Sequence, residues 1–401
     1  MRRVVVIGAG QAGLSCAAKL RSEGFEGEVT LIGAEPVAPY QRPPLSKAYL
    51  LGDMPLERLF LRPETFYAEQ EISLRLGALV TGIDPDAKHV ALAGETLDYD
   101  DLVLATGARA RPLPEDQGGA LGGVFTIRDL GDIDRLAPEM REGRRLLVIG
   151  GGYIGLEAAA VARKLGLEVV LIEAAPRILG RVACTDTADY FRALHARHGV
   201  EIREGVGLAR LEGEDIVTGA ALSDGTRLDC DLVIVGIGIT PETELADAAG
   251  IALDQGIAVN AMGQTSVPGI WAAGDCASVP FEDTRVRLES VQNAIDQAEA
   301  VARNILGAEA EYLPRPWFWS DQYDVKLQIA GLAQDYDGVV VRDGGKAVSH
   351  WYFRGDRLIA VDAMSDPRGY MIGKRLVEAG AKPDQAVIAD PAGDLKGLLR
   401  A

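Results

Sequence analysis

The chain is poor in aromatic residues, 6% of its length, and poor in cysteine: Cys16, Cys184, Cys230 and Cys276 lie scattered over 401 positions. No CxxC and no close pair occurs. That argues against a disulfide framework and makes each thiol an expected small, buried, apolar residue. No apolar run is long enough for a bilayer-spanning helix. The opening VVVIG breaks into Gly8 too soon, and without a small-residue cleavage site, to be a secretory signal, so a cytoplasmic chain is expected. Excess positive charge is missing as well. A formal net charge of −18 argues against nucleic acid, whose phosphates would be repelled, yet leaves room for an acidic protein that meets a local basic patch.

Glycine, by contrast, is abundant at 47 residues. With 48% hydrophobic and 25% charged residues, the composition suits an α/β chain of two or three domains with many tight strand-to-helix turns.

One pattern occurs twice. RRVVVIGAGQAGLSCAAKL begins at Arg2, and RRLLVIGGGYIGLEAAAVA begins at Arg144. Each reads as a buried strand (4–7 and 146–149), a glycine turn (8–13 and 150–155), a helix (14–23 and 156–165) and a second strand (29–32 and 169–172). In each G-x-G-x-x-G the first glycine (Gly8, Gly150) makes the turn and the second (Gly10, Gly152) lets the backbone approach a pyrophosphate. The third (Gly13, Gly155) lets helix and strand pack, and the helix N-terminus faces the negative charge. An acid after the second strand, Glu35 or Glu173, accepts from ribose hydroxyls, so the second copy carries the same parts as the first. Glu173 repels a 2′-phosphate, and Ala174 and Ala175 offer no compensating cation. NADH is therefore expected over NADPH, with Arg177 and Arg181 close enough to weaken the preference. Two cradles suggest FAD and NADH together, because a flavin can accept a hydride and release electrons singly.

The copies differ two residues past the last glycine, where the first has Ser15 and the second Glu157. Glu157 reads either as a first-turn acid that suits the helix dipole or as a carboxylate facing the flavin, with Lys47 as its candidate partner. Further strands are expected near 73–80, 89–92, 200–203 and 232–236, and helices over 290–306 and 368–379. From about residue 321 the alternation changes to that of antiparallel strands with Gly and Asp turns. The fold class is thus α/β, with two Rossmann-like dinucleotide-binding domains and a C-terminal α+β domain. The expected boundaries are 1–108 with 242–320, then 109–241, then 321–401.

RPPLSK at 42–47, LATGAR at 104–109, AAGDCA at 272–277, ESVQNAIDQA at 289–298 and PWFWSDQYDVKLQIAGL from Pro316 join the two glycine units. Together they resemble the NADH-dependent ferredoxin reductases of bacterial oxygenase systems. These are FAD enzymes of the glutathione-reductase superfamily, of the putidaredoxin-reductase-like and biphenyl-dioxygenase-type groups, and the likeness covers almost the whole chain. It implies that Gly8, Gly10, Ala12, Gly13, Glu35, Arg42, Lys47, Val80, Thr106, Gly107, Arg128, Asp275, Val291 and Trp319 hold FAD. It implies that Gly150, Gly152, Tyr153, Ile154, Gly155, Glu157, Glu173, Arg181, Gly236 and Ile237 line the NADH site. Lys47, paired with Glu157, would lie near the reactive edge of the flavin, and this pair would tune it. Arg42 and Arg128 could also be surface cations, Trp319 plain core beside Trp317 and Phe318, and Asp275 a helix N-cap.

Disulfide reductases of that superfamily carry redox cysteines, one group close to where RPPLSK stands here. This chain has Pro43, Pro44, Leu45 and Ser46 there, and so lacks such a thiol relay. Electrons are therefore expected to leave the flavin singly for a [2Fe–2S] ferredoxin that feeds a haem monooxygenase or a Rieske dioxygenase. The chain has no cysteine cluster to bind that centre itself. Arg62, Arg315, Lys326, Arg368, Lys374 and Arg375 are candidates for its docking. His195 and His198 share a helix face but lack matching ligands, so a solvated helix end is expected there and no metal site. Two other readings stay open: a reductase of a small acceptor such as oxygen, a quinone or monodehydroascorbate, and an apoptosis-inducing-factor-like flavoprotein. The oligomeric state is open between monomer and weak dimer.

Overall fold

The computed structural model describes residues 1–400. Its contacts gather the chain into two compact units, one of residues 1–41, 55–109 and 239–316, the other of 42–54, 110–238 and the described residues from Trp317 on.

The first unit is built on a five-stranded parallel sheet in the order Ile270–Ala272, Asp101–Leu104, Arg3–Ile7, Glu28–Ile32, Ile72–Arg75. RVVVI and DLVL are apolar nearly throughout because both faces of a parallel sheet are covered. The helix Gln11–Ser22 packs against Val291–Ile305 in a core that includes Ala12, Cys16, Ala17, Ala294, Ala298 and Ala302, small residues that permit close approach. The expected strand over 73–80 is two strands, Ile72–Arg75 and Val80–Asp84, because Gly77 turns the chain at φ +63°.

The second unit repeats the parallel sheet in the order Val200–Glu204, Glu168–Glu173, Arg145–Ile149, Leu232–Val235, Val124–Phe125. It adds a five-stranded antiparallel sheet, Trp317–Gln322, Val325–Gly331, Arg357–Met364, Val348–Arg354, Gly338–Asp343. The helix Pro367–Glu378 covers that sheet, burying Ile372 and Leu376 with Trp351, Phe353 and Val361. The fold class is the one expected from the sequence: α/β, with two Rossmann-like folds and a C-terminal α+β part. Both glycine-turn helices begin earlier than expected, at Gln11 and Tyr153, so Gly13 and Gly155 lie inside the first turn. Among the described residues, no helix is long and apolar enough to cross a membrane.

Candidate functional site

In the first unit Gly8 follows the strand Arg3–Ile7 with φ +111°, and a Cβ on it would lie 2.0 Å from the Ala105 carbonyl oxygen. A Cβ on Gly13 would lie 1.9 Å from the Gly8 carbonyl oxygen. Gly10 differs: a Cβ there would meet nothing within 4 Å, and no side-chain hydrogen bond caps the helix it begins. The outer glycines are thus required by the protein's own packing. The middle one leaves open space beside the N–H groups of a helix N-terminus, which is what a pyrophosphate needs.

The second unit repeats this logic. Gly150 has φ +108° and a would-be Cβ 2.3 Å from the Gly236 carbonyl oxygen, while that of Gly155 falls 2.1 Å from the Gly150 carbonyl oxygen. A Cβ on Gly152 would again meet nothing within 4 Å. The residues present therefore fit a dinucleotide in each unit.

The acids do not occupy equivalent places, which corrects the expectation that the second copy carries the same parts as the first. Ile7 pairs with Ile32 and Ile149 with Ile172, so Gly33, not Glu35, is the counterpart of Glu173. Glu35 comes two residues later and accepts from the Tyr40 hydroxyl at 2.6 Å. Glu173 holds its own turn: its two oxygens accept from the Gly151 and Ala175 N–H groups, both at 2.7 Å. Its carboxylate keeps lone pairs for a ribose hydroxyl. Arg177, a possible counter-cation, donates instead to the Ala183 carbonyl at 2.6 Å, and Arg181 is exposed.

Glu157 is 1% exposed in the helix Tyr153–Lys164. A buried carboxylate is tolerable only when paired and hydrogen-bonded. Its Oε2 accepts from Lys47 Nζ at 2.7 Å and from Ser46 Oγ at 2.5 Å, and its Oε1 from Ser320 Oγ at 2.6 Å. The structure thus brings Lys47 and Glu157 together. It adds two serines that the sequence reading missed, Ser46 one residue before Lys47 and Ser320 one after Trp319. A first-turn acid serving only the helix dipole would stand in water, whereas this one is enclosed.

The remaining residues divide by unit. In the first, Ala12 and Val80 are buried, while Thr106, Gly107, Asp275 and Val291 are half-buried near chain ends of strands or helices. Thr106 donates to the Glu242 carbonyl at 2.6 Å. Asp275 lies between the strands Ile270–Ala272 and Ala277–Phe281, so the helix N-cap alternative is corrected: no helix follows it. In the second unit Arg42 Nη1 donates to the Arg128 carbonyl at 2.7 Å. Trp319 is half-buried, with ring centroids 5.6 Å from Trp317 and 6.3 Å from Phe318, so it is not plain core. Phe318 in turn meets Tyr153 at 4.9 Å. Burial, with Asp362 and Glu157 nearby, pushes the Tyr153 phenol well above its ordinary pKa. Ile154 and Ile237 are 41% and 39% exposed, the one in the first turn of Tyr153–Lys164 and the other just past the strand Leu232–Val235.

His195 is a further correction. It is fully buried, not solvated, and burial holds its imidazole down to about 4; His198 is exposed. All four cysteines are buried and free. Burial pushes the Cys16 and Cys230 thiols up to about 12.

A family model described as pyridine nucleotide-disulphide oxidoreductase matches residues 2–298, and one described as reductase C-terminal matches residues 317–399. A ferredoxin–NAD(P)(+) reductase of a Sphingomonas species is 44% identical, over 99% of this chain and 97% of its own. The putidaredoxin reductase of Pseudomonas putida is 42% identical, over 99% of this chain and 97% of its own. A solved covalent complex of putidaredoxin reductase with putidaredoxin superposes with a TM-score of 0.97 at 41% identity, over 100% of this chain and 98% of that one. The chain therefore belongs to the pyridine nucleotide-disulphide oxidoreductase family, among members that carry the reductase C-terminal domain.

Proposed function

We propose that this chain is an FAD-dependent NADH:ferredoxin oxidoreductase that supplies electrons to an oxygenase system. The observation that carries the reading is the state of the sulfur. The family is named for disulphide chemistry, yet every cysteine here is buried and unpaired, and the RPPLSK stretch sets Ser46 and Lys47, not a thiol, beside Glu157. Full-length likeness to ferredoxin and putidaredoxin reductases supplies the acceptor class. Bound FAD supplies the conversion of a hydride's electron pair into single electrons.

The chain's own groups bind and orient. Gly10 and Gly152 leave room for the two pyrophosphates, and Glu35 and Glu173 would accept from ribose hydroxyls. Glu173, with Arg177 tied to its own loop, favours NADH over NADPH. Ile154 and Ile237 would shield the nicotinamide side from water. Lys47 places a cation whose direction Glu157 fixes. Arg42, Arg128, Val80, Thr106, Gly107, Asp275, Val291 and Trp319 would complete the flavin site.

For ferredoxin docking we favour the helix Pro367–Glu378, which gathers Arg368 and Arg375 with Lys374, whose ammonium lies 5.1 Å from the Trp317 ring centroid. The three-part division into 1–108 with 242–320, 109–241 and 321–401 is supported by the two five-stranded parallel sheets and the five-stranded antiparallel sheet that follows them, each centred in one part. A cytoplasmic placement suits an enzyme that draws its electrons from NADH. The test is NADH-driven cytochrome c reduction by the purified flavoprotein, with and without a [2Fe–2S] ferredoxin. Strong dependence on the ferredoxin is expected; equal rates without it would move the chain to a small-acceptor reductase.

A further inference from the structure

Glu157 is the end point of a longer chain of groups. When ionised it only accepts, so Ser320 must donate its hydroxyl proton to Oε1, at 2.6 Å. Having spent that proton, Ser320 Oγ can only accept from its next neighbour, Gln322, so the amide turns Nε2 toward it, at 3.2 Å. Gln322 Oε1 then faces His195 Nε2 at 2.8 Å, which requires His195 to carry its proton on Nε2. The bare Nδ1 accepts from the Tyr323 hydroxyl at 3.2 Å. Every proton in the series points the same way, toward Glu157. Ser320, Gln322 and His195 are 0% exposed, so water does not compete for these bonds, and each one polarises the next.

A second observation lies at the outer end. Tyr323 opens the two-residue turn between the strands Trp317–Gln322 and Val325–Gly331 with φ +55°. That region favours glycine and is costly for a bulky aromatic. The tyrosine is held there on both sides: its ring stacks on His198 with centroids 3.6 Å apart and planes 10° apart, and its hydroxyl holds His195. A fold that needed only a hairpin turn at this point would be better served by glycine.

We propose that Ser320, Gln322 and His195 are positioning residues, a one-way hydrogen-bond chain that fixes the plane of the Glu157 carboxylate and thereby sets where Lys47 holds its ammonium. The chain occupies Oε1 and so leaves Oε2 to Lys47 and Ser46. Without it the carboxylate is free to turn, and Lys47 loses its reference. The inference rests on the reading that the Lys47–Glu157 pair serves the flavin.

Two variants break the chain differently. Ser320→Ala removes the last donor. Gln322→Glu keeps the shape, but the introduced carboxylate, once ionised, cannot donate and draws the Ser320 proton away from Glu157, whereas its protonated form reproduces the amide. In FAD-loaded protein, Ser320→Ala should slow flavin reduction at saturating NADH on the order of tenfold, with NADH affinity and FAD content within roughly twofold of wild type. Gln322→Glu should reduce at close to the wild-type rate at low pH and lose rate as its new carboxyl ionises, a pH profile that wild type lacks. Histidine-selective ¹⁵N NMR gives a readout independent of turnover, since the chain has four histidines: the His195 signal should show the proton on Nε2. A proton on Nδ1, or wild-type rates in both variants with no new pH dependence, would overturn the proposal. Lys47→Ala is the reference. If it too reduces at the wild-type rate, the underlying reading fails and the proposal with it, whatever the histidine signal shows.

Discussion

The turns at Gly8–Gly13 and Gly150–Gly155 are built alike where backbone meets backbone and unlike where a ligand would be met. In both, the first glycine has a left-handed φ and lies against a carbonyl from a neighbouring strand end, the third against the carbonyl of the first, and the second against nothing. The surroundings then diverge. The first turn has Ala9 where the second has Gly151, and Gly151 has room for no side chain: a Cβ would lie 2.6 Å from Ile178. Because Gly151 carries no Cβ, Ile178 and Glu173 close on the turn and Glu173 accepts from the Gly151 N–H, while Glu35 stands further along and takes the Tyr40 hydroxyl. In the helices, half-buried Ser15 in one copy stands against enclosed Glu157 in the other. Duplication preserved the pyrophosphate geometry, which tolerates little, and released the positions that read the rest of each nucleotide.

The sharpest way to break this comparison is at the first glycines. Gly8→Ala and Gly150→Ala each force a Cβ into a backbone carbonyl at positive φ, and each should cost about 3 kcal/mol or more of stability by chemical denaturation. Gly8→Ala protein should also purify without bound flavin. Next comes Lys47→Ala, which leaves Glu157 buried without its cation. It should cost about 3–5 kcal/mol and slow flavin reduction, read by denaturant melts and stopped-flow absorbance.

The middle glycines sharpen the comparison. Gly10 and Gly152 have φ −95° and −80°, which alanine adopts without strain. Alanine at either should change stability by less than about 1 kcal/mol. Gly10→Ala should weaken FAD, and Gly152→Ala NADH, on the order of tenfold, each without touching the other nucleotide. Equal losses of both from one substitution would break the assignment of one nucleotide per turn.

A separate effect, on stability alone, is expected at Asp362, fully buried in the second unit, where desolvation raises its pKa to about 6. Its Oδ2 accepts from Thr187 at 2.8 Å and from Tyr352, while Oδ1 has no partner. The folded-state pKa lies above the unfolded one. This group's contribution is therefore fully present below about pH 4 and is lost as pH rises through 6. Asp362→Asn should remove that slope and raise stability at pH 7 by about 1–3 kcal/mol, seen as a higher denaturation midpoint. The smallest effect is at Glu173, where alanine should narrow the ratio of NADH to NADPH efficiency in steady-state kinetics while leaving bound FAD unchanged.

The parts of this site that can be read from the sequence are those encoded locally. The glycine spacings, the acids after the second strands and the RPPLSK stretch each lie within a few dozen residues, and the turn chemistry states their purpose. The helix starts are less legible, because Gly13 and Gly155 read as turn residues although packing holds them in the first helical turn. Ser320 and His195 are not legible as site residues. Ser320 meets Glu157 from 163 residues away, and His195 meets Gln322 from 127, and no local pattern announces such pairings. Their only trace is His195 on the apolar face of Thr185–Arg197 beside buried Phe191 and Leu194, a sign of burial to be weighed against a solvated helix end.

The central claim is that the flavin is the protein's only redox centre and that no thiol takes part. Anaerobic reductive titration of the purified flavoprotein tests it directly. Two electron equivalents per flavin should bleach the bound cofactor completely, and alkylating the denatured product should find the same four free thiols before and after. An uptake of four equivalents, with new thiols appearing on reduction, would contradict it.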